Sequence, residues 1–143
     1  MIMKRTFIAV VVALIVSPLF AADGPYSPTE AERARWTMHD MTSWRTCFDA
    51  YKLDHGKYPE VTTAEEARAA FEPVYVVHLP MTDAWGRAYA VESDGSKYAV
   101  ASSGTDGKFD RQSWSTGGAL KSFDEDAVVT NEGRWLFRHW AMK

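Results

Sequence analysis

At 143 residues the chain has room for one domain and a targeting segment, and little else. Hydrophobic residues make up 46% and charged residues 24%, which excludes a compositionally disordered chain, and six Trp supply large side chains for a small core. The formal net charge is −3 and there is no basic run, so nothing provides an electrostatic footprint for nucleic acid.

The N-terminus is the first element. Lys4 and Arg5, an apolar run from Phe7 to Val16, Pro18 and the small pair Ala21-Ala22 follow the layout of a secretory signal peptide. Residues 1–22 are therefore expected to be removed, leaving 23–143 as one periplasmic or secreted domain. The apolar run is short for a membrane span. The alternative is an uncleaved membrane anchor, because Phe20 is bulky where a signal peptidase prefers a small residue.

Asp23-Gly24-Pro25-Tyr26 reads as a short linker, and Ser27-Pro28-Thr29-Glu30 as a helix start with Ser27 as the cap and Glu30 closing a capping box. Met41, Trp44, Phe48 and Tyr51 then recur at helical spacing and predict one apolar face up to about His55, opposite Asp40, Arg45, Asp49 and Lys52. Cys47 lies in this stretch and is the only cysteine, so no intramolecular disulfide is possible. Among Trp44, Phe48 and Tyr51 it reads as a small buried hydrophobe. Gly56 is the expected helix stop and Pro59 prevents resumption.

A second, shorter helix is predicted from Thr63, with Glu66 as capping partner, to about Glu72, where Pro73 ends it. The β-branched and aromatic run Val74 to Leu79 suits a strand or an extended buried stretch. Arg87 to Glu92 and Lys97 to Ser102 read as two strands joined around Asp94-Gly95, a hairpin signal. Ser102 to Thr130 is rich in Ser, Gly, Thr and Asp and has little periodicity, which marks a long functional, ligand-ordered or disordered loop. The segment from Gly133 to Trp140 returns to large apolar residues and suits a last strand or short helix packed back on the sheet.

Three motifs occur in order: Tyr51-Lys52-Leu53-Asp54-His55-Gly56-Lys57-Tyr58-Pro59, then Asp83-Ala84-Trp85-Gly86-Arg87-Ala88-Tyr89, then Ser102-Ser103-Gly104-Thr105-Asp106-Gly107-Lys108-Phe109. In this order and spacing they resemble the globular domain of the type II secretion major pseudopilin, the G-type protein, over roughly residues 30 to 131. The resemblance implies an α+β fold: one long helix on a small antiparallel sheet, followed by a long calcium-type loop. In that family the loop binds calcium through backbone carbonyls and aspartate side chains. The residues here that match are Asp106, with Ser102 and Ser103 as carbonyl or hydroxyl donors, and the acidic run Asp124-Glu125-Asp126, of which Asp124 and Asp126 are the implied ligands. Calcium needs six to eight oxygens, so such a loop must close on itself to supply them. The competing reading of these acids is solvated loop charge. Val128 stands where the family often has another aspartate, and extra residues separate Asp110 from Phe123.

Other chemistries are poorly supported. The twelve-residue EF-hand pattern is absent around Asp94 and Asp106. His39, His55, His78 and His139 are scattered and show no zinc spacing with Cys47. There is no nucleophile elbow, phosphate loop or Cys/His pair, and the adjacent Asp54-His55 reads as surface rather than as part of a hydrolase site.

The leader departs from the family. Residues 1–22 contain no Gly and no Glu, and Pro18, Pro25 and Pro28 separate the apolar run from the long helix. The expectation is therefore a stand-alone, non-catalytic pseudopilin-like domain, a calcium-stabilised module that binds protein partners such as secretion-apparatus components. Membrane contact is expected only if the signal segment stays uncleaved. The alternatives are a membrane-anchored subunit of the pseudopilus and a periplasmic enzyme whose site the motifs do not reveal.

Overall fold

The computed structural model describes residues 27–115 and 118–135. The expected signal segment 1–22, and the tail beyond residue 135, lie outside the described residues. The α+β expectation holds: helix α1 (Glu30–His55) packs on an antiparallel five-stranded sheet of order β1-β2-β3-β4-β5. The strands are β1 (Glu60–Val61), β2 (Ala90–Asp94), β3 (Tyr98–Ser102), β4 (Ala127–Thr130) and β5 (Arg134–Trp135), with helix α2 (Ala64–Phe71) between β1 and β2.

Helix α1 starts two residues later than expected. Thr29 is the cap: its hydroxyl accepts the Glu32 N–H while the Glu32 carboxylate accepts the Thr29 N–H at 2.8 Å. Glu30, the partner expected from sequence, instead accepts the Trp85 indole N–H at 2.6 Å and so joins the helix start to a distant turn. At the other end Gly56 adopts φ +77° and its N–H reaches the Lys52 carbonyl at 2.8 Å, a left-handed cap that an L side chain resists. Met41, Trp44, Cys47 and Phe48 are buried as the spacing predicts. Burying side chains of this size stabilises by about 1.5–3 kcal/mol each. The Phe48 ring stacks on Tyr98 of β3 at 4.1 Å and meets Phe71 of α2 edge-on at 4.9 Å, so one residue ties both helices to the sheet.

Two expectations change in the middle of the chain. Helix α2 is capped by Thr63, as predicted, while Glu66 accepts the N–H of Thr62, one residue before the cap, and the helix ends at Phe71. The run 74–79 forms no strand: Val74 and Val77 are about three-quarters exposed at 75% and 74%. Its β-branched residues favour a strand, but local hydrogen bonds fold it into a loop instead. The Glu72 carboxylate accepts the Leu79 N–H at 2.7 Å, and only Leu79 is fully anchored in the core. The β2–β3 hairpin forms at Asp94-Gly95, and β2 begins at Ala90, later than Arg87.

Register separates the two sheet faces. Val91, Val100 and Val129 align across β2, β3 and β4 and face α1, whereas Ala101 pairs with Val128 on the outer face. The outer face is covered there by Trp114, from a short 3₁₀ turn at Ser113–Ser115. The long loop therefore does not simply extend into solvent; its 110–115 stretch lies back across the sheet.

Candidate metal centre

The tryptophan-glycine motif is the mechanical base of the loop. Asp83 is buried, and its Oδ1 accepts the N–H groups of Trp85 and Arg87, each at 3.0 Å, which folds 83–87 into a tight turn. Its Oδ2 accepts the Ser102 hydroxyl at 2.7 Å, fastening the turn to the end of β3. The same turn docks on α1: Ala84 accepts from the Arg33 guanidinium at 2.6 Å and donates its N–H to the Thr37 hydroxyl at 3.1 Å. Trp85 thus reaches the helix start.

From this turn Arg87 reaches into the loop. Its guanidinium donates to the carbonyls of Gly104 and Thr105 at 2.8 and 2.9 Å, bracing the start of the loop. The opposite wall is just as close. The Thr105 N–H donates to the Phe123 carbonyl at 2.8 Å, and the Thr105 hydroxyl donates to Asp124. Segments 103–110 and 118–126 are therefore cross-linked side by side.

Between them lies a pocket of about 440 Å³ whose lining includes the acids Asp106, Asp110, Asp124, Glu125 and Asp126 and the cations Lys108 and Lys121. Asp126 is its buried member. The carboxylate Oδ2 accepts the Trp114 indole N–H at 2.7 Å and the Asp110 N–H at 2.8 Å. Its Oδ1 is buried with no hydrogen-bond partner. Burial pushes the Asp126 carboxyl above its ordinary range, and the nearby charges of Asp106 and Asp110 add to this, against the two hydrogen bonds that favour the ion.

The implied ligands fall into two groups. Asp106, Asp124 and Asp126 all line the pocket. Ser102 and Ser103 do not line it; both are buried, and the Ser102 hydroxyl is committed to Asp83. Asp106 accepts the Lys108 N–H at 2.8 Å within its own turn. Among the described residues no three Asp, Glu, His or Cys side chains converge on one point. What fits calcium is the donor chemistry, all hard carboxylate oxygen, together with the unpartnered buried Oδ1 of Asp126. Asp110 and Trp114 escaped the reading of sequence alone. Asp110 was visible as an acid four residues after Asp106, whereas nothing local marks Trp114 as a partner of Asp126.

The adjacent Asp54 and His55 share only the Tyr75 hydroxyl, at 2.8 and 3.3 Å, on an exposed part of the surface.

The family model for type II secretion system protein G matches residues 27–116. The chain belongs to this family. Its matched residues include the capped helix, the Asp83 turn and the first wall of the pocket, and stop before Asp124 and Asp126. Proteins of the type II secretion G family are structural components of secretion rather than catalysts. No curated protein matches the chain. Among the described residues, no helix of this G-family head is long and apolar enough to cross a membrane.

Proposed function

We propose that this chain is an exported, non-catalytic binding module of type II secretion whose loop 103–126 is ordered by calcium into a surface for a protein partner. The observation that supports the ion is the buried, unpartnered Oδ1 of Asp126 at an acidic pocket. A buried carboxylate oxygen without a donor is costly, and a divalent cation removes that cost while drawing in the neighbouring acids. Asp126 would be the inner ligand, with Asp106 and Asp124 completing the side-chain set and carbonyl oxygens or water filling the rest. Calcium supplies no chemistry here beyond charge; it holds the two walls together.

Thermal melts in calcium, in magnesium and in chelator test this reading. Calcium at a hundredfold excess over Kd should stabilise by about 2.7 kcal/mol, and Asp126→Ala and Asp106→Ala should each reduce that shift. Identical melting in calcium and in chelator would remove the metal from the reading. Family membership supports a second reading, a membrane-anchored pseudopilus subunit. Cell fractionation separates the two: a soluble chain starting near Asp23 excludes the anchored subunit, and membrane retention of the full-length chain supports it.

A further inference from the structure

The hydrogen bonds at Asp126 divide its carboxylate into two working halves. Oδ2 is held by two donors, the Trp114 indole at 2.7 Å and the Asp110 amide at 2.8 Å, while Oδ1 has none. Two donors on one oxygen fix the plane of the carboxylate, and with it the direction in which the other oxygen points. The indole is itself anchored independently of Asp126. Its ring is buried against Ala101 and Val128 on the outer sheet face, and the Arg111 guanidinium lies over it at 4.8 Å from the ring centroid while bridging to Glu92 at 2.5 Å. The donor is therefore seated on the sheet and flanked within its own loop by Arg111 and by the Phe109 ring, edge-on at 5.9 Å.

We infer that Trp114 is a positioning residue for the ion site: its N–H fixes Oδ2 of Asp126 and so presents Oδ1 to the acidic pocket. This rests on the calcium reading and adds to it a residue that touches no ion. By reciprocity, an ion on Oδ1 must strengthen the hold on Trp114 by the same factor that Trp114 strengthens the ion. Calcium then tightens the 110–114 cover over the outer sheet face as well as closing the loop. The predicament of a ligand without this support is known in general terms: losing an outer hydrogen-bond partner of a metal ligand costs about 10–100-fold in affinity.

The test compares calcium affinity by calorimetry in the full chain, in Trp114→Phe and in Arg111→Ala, with melting temperatures measured without calcium. Trp114→Phe keeps an aromatic ring over Ala101 and Val128 but removes the N–H together with part of the buried ring, so calcium-free melting should fall somewhat and calcium Kd should rise at least about tenfold. Arg111→Ala removes the stack and the bridge to Glu92 but leaves the indole bond and its seat on Ala101 and Val128, so its calcium Kd should rise far less than that of Trp114→Phe. Equal affinity in Trp114→Phe and wild type overturns the inference, as does an equal loss in Arg111→Ala, which would mean general loosening of the cover. Should Trp114→Phe not fold, exchange of the Trp114 indole proton in the wild type decides: calcium must slow it, and unchanged exchange overturns the inference. A wild-type chain that binds no calcium refutes the ion reading itself and takes this inference with it, an outcome distinct from binding that ignores Trp114.

Discussion

Gly104→Ala puts the closure of the loop under direct strain. Gly104 has φ +62°, and a Cβ built on it lies 2.2 Å from the Phe123 carbonyl oxygen and 3.0 Å from that of Glu125. Both obstacles are backbone, so neither can move aside as a side-chain tip would. The left-handed conformation alone costs a non-glycine residue about 1–2 kcal/mol. Relieving the 2.2 Å contact must also separate 103–105 from 123–125, which endangers the Thr105 to Phe123 hydrogen bond and its roughly 0.5–1.5 kcal/mol. The expected total is about 1.5–3.5 kcal/mol, measured by urea unfolding without calcium. Gly56→Ala is the matched control. Its φ is +77°, but nothing lies within 4 Å of the new Cβ, so only the conformational cost applies, about 1–2 kcal/mol. If Gly104→Ala costs no more than Gly56→Ala, the two walls are not packed as described, and the pocket between them loses its basis.

Two further outcomes follow from the same structure. Burial pushes the Cys47 thiol up to about 11, so at pH 8 it should resist alkylation in the folded chain and react fully only in denaturant; rapid native labelling would place Cys47 outside the core. Asp94 collects hydrogen bonds from the Ser96 hydroxyl and from the Lys97 and Ser96 amides, which lower its carboxyl from 3.8 to about 2. Because the folded value is depressed, its stabilising contribution is present above 3.8 and is lost as pH falls through about 2. Asp94→Ala should therefore flatten stability against pH in that acid window, read from urea melts, and leave the rest of the profile unchanged.

The long helix and the hairpin were legible because each has a local cause. Four apolar residues at helical spacing and a glycine stop define α1, and Asp94-Gly95 lies between two alternating segments. The capping box was displaced because two solutions compete there, and the distant Trp85 indole engages Glu30 and leaves Glu32 to cap. The Val74 to Leu79 run misled for the opposite reason. Its propensity is real, but a strand needs a ladder partner, and Glu72 closes the segment on itself. At the candidate site the acids were readable as a cluster, whereas their division was not. Only three-dimensional closure shows that Asp126 is buried and that Ser102 is turned toward Asp83.

Val128 and the stretch after Asp110 meet on the outer face of the sheet. Val128 is on the outer sheet face with Ala101, and Trp114 covers both. An aspartate at 128 would lie under an indole with no donor, since the Trp114 N–H is already given to Asp126. Val128 is 1% exposed, so Val128→Asp should destabilise by at least about 3 kcal/mol. The sign with pH is also fixed. A buried carboxyl has a raised pKa, so the protonated form is the one that folds best, and the penalty should grow as pH rises from 4 to 7. Urea melts of the wild type and Val128→Asp at both pH values check this. A variant as stable as the wild type at pH 7 would mean that the outer face accepts a charge beside Trp114. A pH-dependent loss would instead confirm that residue 128 is an apolar contact under Trp114, leaving Asp126 as the buried acid of the pocket.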